Sequence, residues 1–321
     1  MKLSPDQLKA MNFHRPSMIP TDVSVLPATW KKHRGELDAI FRRYPELLGH
    51  YKAPDYDNVP MADTYHVGDH VDEWGCVWSN LHDGMEAIVT QHPVPTREAV
   101  RTLQAPAEIK PQLKHGFMYL RLADLRGFEE VMIDFAEDAP ELQILIDIVL
   151  EHNMRRLELM NSTLPADDMY WFGDDLGMQS GLAMGAAKWR KYLKPCFRRM
   201  YSYWRGTGRA VYFHTDGCIW EIIGDLAECG VQVINPQSRA NGIDNLVRVC
   251  RGKICADLDL DRQLLPFCSP KDVDDHVRES VMKLGSREGG LWLKAEIAPD
   301  IPLENVDALL TAMQKYRTFW S

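Results

Sequence analysis

The sequence of 321 residues lacks several features that mark whole classes of protein. No run reaches the roughly 18 apolar residues that a membrane span needs, and the residues after Met1 contain no apolar stretch typical of a secretory signal. There is no basic excess either: 37 Lys and Arg stand against 46 Asp and Glu, a net charge of −9. We therefore expect a cytoplasmic protein that binds neither a membrane nor nucleic acid.

Cysteine pairs, linkers and nucleotide motifs are missing as well. The seven cysteines are odd in number and scattered, which predicts reduced thiols. No repeat or Gly/Ser-rich linker divides the chain, so residues 1–321 are predicted to form one domain with an N-terminal extension over about residues 1–18. No G-x-G-x-x-G or G-x-x-x-x-G-K-[ST] follows a predicted strand, which removes the nucleotide-binding signatures of doubly wound sheets.

The chain does contain a regular alternation of short apolar runs and segments with helical spacing from about residue 110 onward. Strands are predicted within 117–123, 169–173, 210–214, 231–235, 254–258 and 291–295. Weaker extended runs at 19–26 and 61–78 would bring the number to eight. Eight parallel strands, each followed by a helix, close into a single (β/α)8 TIM-type barrel of the α/β class, which is the predicted fold. A doubly wound open sheet is the alternative.

Polar residues occupy one face of several predicted strands. Side chains alternate along a strand, and in 210–216 the apolar Val211 and Phe213 should face the surrounding helices. The same alternation applied to three strands gives an inward set: Tyr119, Arg121, His214, Asp216, Lys294 and Glu296. Because active sites of barrels lie at the C-terminal ends of the strands, this set marks the predicted site.

His214-x-Asp216 is the most informative spacing. Two residues apart on a strand share a face, with Cα atoms roughly 6–7 Å apart. An imidazole and a carboxylate at this distance can bind one metal ion or form an acid–base pair. A structural histidine capped by Asp216 is the other interpretation. Asp174 and Asp175, beside glycines just past a strand, could cap the next helix or hold a substrate group.

Five stretches together resemble the uroporphyrinogen decarboxylase-like superfamily. They are 173–179 (GDDLGMQ), 213–217 (FHTDG), 228–237 (ECGVQVINPQ), 268–273 (CSPKDV) and 301–306 (IPLENV). The resemblance implies a single (β/α)8 barrel. True decarboxylases of the superfamily carry an Arg-Gln-Ala-Gly-Arg-like motif near the N-terminus, where this chain reads LPATWKKHR over 26–34. The sequence is therefore more similar to the corrinoid-dependent methyltransferase branch.

Many members of that branch hold zinc through a His-x-Cys…Cys set. His214 matches the histidine, whereas Asp216 and, near the last strand, Glu296 stand where cysteines are expected. The resemblance thus implies a metal site, with zinc as the expected ion, at His214, Asp216 and Glu296, and these residues are also the predicted catalytic set. Oxygen ligands make a harder Lewis acid, which suits an oxygen leaving group. The predicted substrate-binding residues are Trp74, Tyr119, Asp174, Asp175, Gln179 and Lys294.

The resulting prediction is a methyltransferase that moves a methyl group from a small O-methyl donor, such as a methoxylated aromatic, to cobalt. The chain has no D-x-H-x-x-G corrinoid motif, so cobalamin is expected on a separate corrinoid protein. Asp216 and Glu296 are open to either role, metal ligand or proton donor. Alternatives are a decarboxylase of a small or tetrapyrrole acid, with Arg121 as its carboxylate-binding residue, and a barrel that only binds a corrinoid or tetrapyrrole. A homodimer is compatible with the sequence.

Overall fold

The structure is a computed structural model that describes residues 2–49, 51–165 and 169–321. The β-strands in these ranges are β1 (Thr21–Val25), β2 (Gly68–Val71), β3 (Val77–Asn80), β4 (Ile88–Gln91), β5 (Tyr170–Gly173), β6 (Val211–Thr215), β7 (Val233–Pro236), β8 (Cys255–Asp259) and β9 (Leu291–Ile297).

The α-helices are α1 (Pro5–Met11), α2 (Pro27–Phe41), α3 (Pro45–Leu48), α4 (Arg97–Val100), α5 (Tyr119–Arg126), α6 (Phe128–Glu137), α7 (Pro140–Thr163), α8 (Gly185–Tyr192), α9 (Lys194–Gly206), α10 (Ile223–Cys229), α11 (Ser238–Asn241), α12 (Ile243–Cys250), α13 (Pro270–Leu284) and α14 (Leu303–Tyr316). None of the helices in the described ranges has the length and apolar character needed to cross a membrane.

The chain divides into two compact units, each assembled from segments that are distant in the sequence. The first consists mainly of Asp69–Ser79 and Ile88–Pro236, and the second mainly of Ser4–Gly68, Asn80–Ala87 and Gln237–Ser321. In the first unit β6 pairs in parallel with both β5 and β7. In the second, β9 pairs in parallel with both β1 and β8. The arrangement of residues 1–321 as a single domain stays a prediction.

Parallel strands that alternate with helices confirm the predicted α/β class with the TIM-barrel pattern. Six of the eight predicted strands are present as parallel strands: β1 and β5 to β9. Each lies within two residues of its predicted bounds. Short apolar runs bounded by glycine, proline or a charged residue therefore locate these strands well.

The predicted strand at 117–123 is wrong, because this segment enters helix α5. Met118, Leu120 and Leu122 suggested alternation, but Met118, Leu122 and Leu125 are the residues with no exposed surface. Their i, i+4, i+7 spacing is helical. The inward orientation predicted for Tyr119 and Arg121 on a strand is therefore wrong as well. The start of the helix is fixed from outside the segment, by a carboxylate described below.

The predicted strand at 61–78 is also wrong. The region holds β2 and the start of β3, which belong to a separate three-stranded sheet in the order β2-β3-β4, with β3 and β4 antiparallel. Between β2 and β3 the Asp72 carboxylate accepts the backbone N–H groups of Trp74 and Cys76, at 2.9 and 3.0 Å. Gly75, with φ of 88°, completes the turn. Such a turn separates two short strands where one long strand was expected.

Aromatic packing holds β5 and β6 against helix α9 in the first unit. Phe172 of β5 lies 5.0 Å from the ring of Tyr201, and Phe213 of β6 lies 5.6 Å from that of Phe197. All four side chains are fully buried, and such edge-to-face pairs add about 0.5–1.5 kcal/mol each to the stabilisation from burial. With these rings outward, alternation turns Trp171 and His214 to the opposite face of the sheet.

The loops that follow β5 and β6 approach each other at two glycines. Gly177 N–H donates to the Asp216 carbonyl at 3.1 Å, and Cys218 N–H donates to the Met178 carbonyl at 2.7 Å. A Cβ on Gly177 would lie 2.5 Å from the Cys218 nitrogen, and one on Gly217 would lie 2.1 Å from the Gly177 oxygen. Only glycine allows the two backbones to run this close.

We predict that Gly217→Ala destabilises the protein by at least roughly 1–3 kcal/mol, the usual cost of a strained backbone position. Gly217 has φ of 82°, and the added methyl would overlap the Gly177 backbone. Urea unfolding followed by circular dichroism measures the change. Gly224→Ala, in helix α10 with open space around its Cβ, is the matched control and should be neutral or slightly stabilising. Equal stability of the two variants would contradict the close approach.

Candidate metal and active site at the ends of β5 and β6

The candidate site is built from three segments of the first unit: the end of β6, the loop after β5 and the segment before α5. In the register of the sheet Gly173 lies beside His214. The Gly116 N–H donates to the Gly173 carbonyl at 2.8 Å, which brings the preceding His115 over the end of β5. A Cβ on Gly173 would lie 2.6 Å from His115 Cδ2, so the missing side chain makes room for the imidazole.

Three potential metal ligands converge there. Within the described ranges, one group of three or more His, Cys, Asp or Glu side chains has ligand atoms all within 4.8 Å of one another: His115, Asp175 and His214. His115 Nε2 donates a hydrogen bond to Asp175 Oδ1 at 3.2 Å, and His214 Nε2 lies 3.7 Å from the same oxygen. All three side chains are half-buried or nearly buried, with an accessible portion on each.

His214 is held in one tautomer. Its Nδ1 lies 2.6 Å from the Asn235 side-chain oxygen, which can only accept, so Nδ1 carries the proton. The neutral imidazole then has its lone pair on Nε2, which is the atom near Asp175. Burial lowers the pKa of His214, although the neighbouring Asp175 and Asp216 carboxylates act in the opposite direction. His214 is therefore neutral at neutral pH and available as a ligand or base.

Asp175 is the central acceptor of the site. Its Oδ1 accepts the backbone N–H of Asp216 at 2.8 Å in addition to the hydrogen bond from His115. Burial alone would raise the pKa of this carboxyl, but the hydrogen bond from His115 and the attraction of its charge act in the opposite direction, and the pKa is lowered. Asp216 Oδ1 lies 3.5 Å from His214 Nε2, so two carboxylates border this nitrogen.

Asp174 has a different task. Its two carboxylate oxygens accept the backbone N–H groups of Tyr119 and Leu120, at 2.6 and 2.9 Å. These are the first two residues of α5, whose own N-cap residue makes no side-chain hydrogen bond. Asp174 thus caps a helix 55 positions earlier in the chain. Burial raises the pKa of its carboxyl to about 7, against the effect of the two donors.

Some of the predicted site residues lie together in the structure, and others make ion pairs elsewhere. His214, Asp216 and Asp175 are neighbours, as given above. Glu296 and Lys294, both on β9 in the second unit, make ion pairs of their own: Glu296 with Arg262 at 2.5 Å and Lys294 with Asp22 at 2.9 Å. Neither belongs to the group of three ligands.

The predicted pocket-lining residues differ in their surroundings. Trp74 is buried with its ring 4.9 Å from that of His152, and Gln179 is exposed. The Tyr119 side chain is buried, and burial raises its pKa to about 12. Arg121, the carboxylate-binding residue of the decarboxylase interpretation, is buried and contacts the carboxylates of Asp72 and Asp124, at 2.5 and 3.7 Å. Because these two carboxylates already pair with its guanidinium, Arg121 gives no support to the decarboxylase interpretation.

Two residues of the site, His115 and Trp171, were not predicted from the sequence. His115 lies 60 positions before Asp175 and follows no ligand spacing, so only the fold reveals it. Trp171 could have been found, because it lies between Tyr170 and Phe172, and the alternation along β5 directs it toward His214. Its ring centroid lies 5.4 Å from that of His214, with the planes 20° apart.

Parallel strands with a cluster of titratable side chains past their C-terminal ends define the class: α/β proteins of the TIM-barrel type. The sequence profile of one family, described as uroporphyrinogen decarboxylase (URO-D), matches residues 119–316, more than half of the chain. The chain belongs to this family, which confirms the superfamily predicted from the sequence.

The chain was also compared with curated proteins and with solved structures. No curated protein matches the chain. Among solved structures, a methyltransferase from Methanosarcina mazei is similar with a TM-score of 0.63 and 16% sequence identity, over 98% of this chain and 99% of that chain. At this identity the similarity establishes the shared fold, and activity has to be argued from the site.

We predict that Asp174→Ala destabilises the protein by roughly 1–3 kcal/mol for each of the two backbone N–H groups that lose their acceptor. Urea unfolding at neutral pH measures the loss, and a decreased helix signal would accompany it. Asp244→Ala serves as the control, because this aspartate near the start of α12 is largely exposed and should change stability by less than ~0.5 kcal/mol. Matching values for the two variants would show that Asp174 does not cap α5.

Proposed function

We propose that the protein is a methyltransferase that moves a methyl group from a small O-methyl donor to the cobalt of a corrinoid on a separate protein. The observation that carries this proposal is the group of His115, Asp175 and His214, with ligand atoms within 4.8 Å of one another and a lone pair on His214 Nε2. The fold shared with a methyltransferase of Methanosarcina mazei agrees with it.

The three side chains suit a zinc ion. Four donor atoms in a tetrahedron about 2.0–2.1 Å from zinc lie about 3.3 Å apart, and the two distances to Asp175 Oδ1 are 3.2 and 3.7 Å. Two imidazoles and one carboxylate would leave the fourth position open, as catalytic zinc sites do. An ion here would replace the proton that His115 donates to Asp175. The ligand set is thus His115, Asp175 and His214, in place of the predicted set with Asp216 and Glu296.

Bound zinc would act as a Lewis acid that stabilises the negative charge on the departing oxygen. The chain's own residues then have distinct tasks. Asn235 keeps His214 in the tautomer that presents Nε2, and the Asp216 backbone N–H orients Asp175. A cobalt(I) corrinoid on the separate protein would supply the electron pair for the new bond to the methyl carbon, so the electron pair of the broken O–CH3 bond would stay on the oxygen. The partly exposed carboxylate of Asp216 borders the site, takes up a proton from solvent and gives it to that oxygen.

We predict that the wild-type protein binds one zinc ion per chain and that His115→Ala, Asp175→Ala and His214→Ala each lose stoichiometric zinc. Removing one of three protein ligands leaves too few donors to hold the ion. Asn235→Ala should weaken zinc binding by about 10- to 100-fold, because it frees the ring that Asn235 orients. Elemental analysis and competition with a chromogenic chelator measure both effects.

Glu296→Gln is the matched control for the ligand set. The variant removes the charge of a carboxylate that pairs with Arg262 and should keep stoichiometric zinc. The opposite pattern, with zinc lost in Glu296→Gln and kept in His115→Ala, would restore the ligand set predicted from the sequence.

We predict that Asp216→Asn keeps its zinc but transfers methyl groups about 100-fold more slowly from methanol, since general acid catalysis contributes about 10²–10⁴-fold. The loss should be smaller for a methoxylated phenol, because a phenolate needs less help from a proton than an alkoxide does. Absorbance changes of cob(I)alamin report the transfer. A loss of equal size for both donors would assign Asp216 a positioning role instead of proton donation.

A further inference from the structure

Trp171 is a large apolar side chain on the face of the sheet that carries the site. On the opposite face Phe172 is fully buried, whereas Trp171 retains 38% of its surface exposed. An indole left accessible beside potential metal ligands forgoes the stabilisation that its burial would give. Its position on β5 is fixed by the backbone pairing with β6, so the exposure is built into the sheet.

The ring is held in a defined position without being covered. Its centroid lies 5.4 Å from the His214 ring and 5.9 Å from the His115 ring, and these two imidazoles are 5.6 Å apart. Because the three separations are nearly equal, both imidazoles lie to one side of the indole and do not clamp it between them. A Cβ on Gly173 would come within 2.5 Å of the indole, so this glycine gives the ring its place.

We propose that Trp171 is the stacking surface for the aromatic ring of an uncharged methoxyarene, whose methoxy oxygen faces His115, Asp175 and His214. The inference rests on the proposed function and narrows its donor class. A planar ring offset against an indole gains about 0.5–1.5 kcal/mol beyond the burial of its surface. An aliphatic donor such as methanol is too small to use this surface.

The charges of the site select against charged rings and cations. The carboxylates of Asp175 and Asp216 lie 3.7 and 3.5 Å from His214 Nε2. With a divalent ion in place, these two carboxylates and the neutral imidazole sum to no net charge, so an acid group on the donor ring finds no surplus positive charge to offset the loss of its hydration. A quaternary ammonium group, which could otherwise bind an indole by cation–π attraction, would gain little.

Binding to the zinc-loaded full-length protein, without any corrinoid protein, tests the inference. Isothermal titration calorimetry compares 2-methoxyphenol, 3-methoxybenzoate and tetramethylammonium. We expect 2-methoxyphenol to bind at least about tenfold more tightly than either charged probe. Tighter binding of tetramethylammonium would identify a cation site, and tighter binding of 3-methoxybenzoate would identify a carboxylate site. Either result overturns the inference, and both are measured on the wild-type protein.

Variants at Trp171 then locate the contact. Trp171→Leu, which keeps apolar bulk without a ring, should weaken 2-methoxyphenol binding by about three- to tenfold, and Trp171→Phe should stay within about twofold of the wild type. Phe128→Leu, which removes an exposed ring on α6 of the same unit, is the control and should change nothing. Zinc content checks that each variant is folded. Unchanged affinity in Trp171→Leu would refute the role of Trp171.

The two proposals fail in different ways. Methyl transfer from methanol by a protein that does not bind 2-methoxyphenol would uphold the methyltransferase and overturn the stacking role. Ring-dependent binding of 2-methoxyphenol without transfer to cob(I)alamin would uphold the stacking surface and overturn the methyltransferase.

Discussion

The site depends on the close approach of the backbones that follow β5 and β6. Gly177 and Gly217 allow the two loops to exchange hydrogen bonds at a separation that any side chain would prevent. This contact places Asp175 where it can accept the Asp216 N–H and lie beside His214. Without it, the imidazole of β6 and the carboxylate after β5 would belong to two independent loops. The geometry of the candidate metal ligands is thus a consequence of backbone packing.

Local pattern was sufficient for the strands whose two faces differ in chemistry. In β6 the buried Val211 and Phe213 alternate with His214, and in β9 Leu291 and Leu293 alternate with Lys294, so periodicity alone located both. It failed at 117–123, because the helix there begins at a carboxylate supplied by Asp174. A capping residue 55 positions away produces no pattern in the sequence of the helix that it caps. Such long-range interactions cannot be predicted from one segment alone.

The same limit explains the candidate ligands. His214-x-Asp216 is a local pattern, and its two side chains do lie together at the end of β6, with Asp216 Oδ1 3.5 Å from His214 Nε2. His115 reaches the site only because Gly116 binds the end of β5 and Gly173 lacks a side chain. Glu296 was assigned by similarity to a family position, yet its carboxylate is engaged by Arg262. When candidate ligands come from several loops, the tertiary structure determines which residues meet. Sequence spacing therefore predicts few of them.

Burial and hydrogen-bond partners explain why the adjacent Asp174 and Asp175 differ in role. Asp174 has no exposed surface and two backbone donors, so its carboxyl, with a pKa raised to about 7, serves the fold. Asp175 contacts His115 and the Asp216 N–H instead, and the hydrogen bond from His115 helps to lower the pKa of its carboxyl and keep it ionised. Two adjacent carboxylates with different partners can thus cap a helix and place a candidate ligand at once. Of the two alternatives that the sequence left open for this pair, the helix cap applies to Asp174, and Asp175 is the proposed ligand.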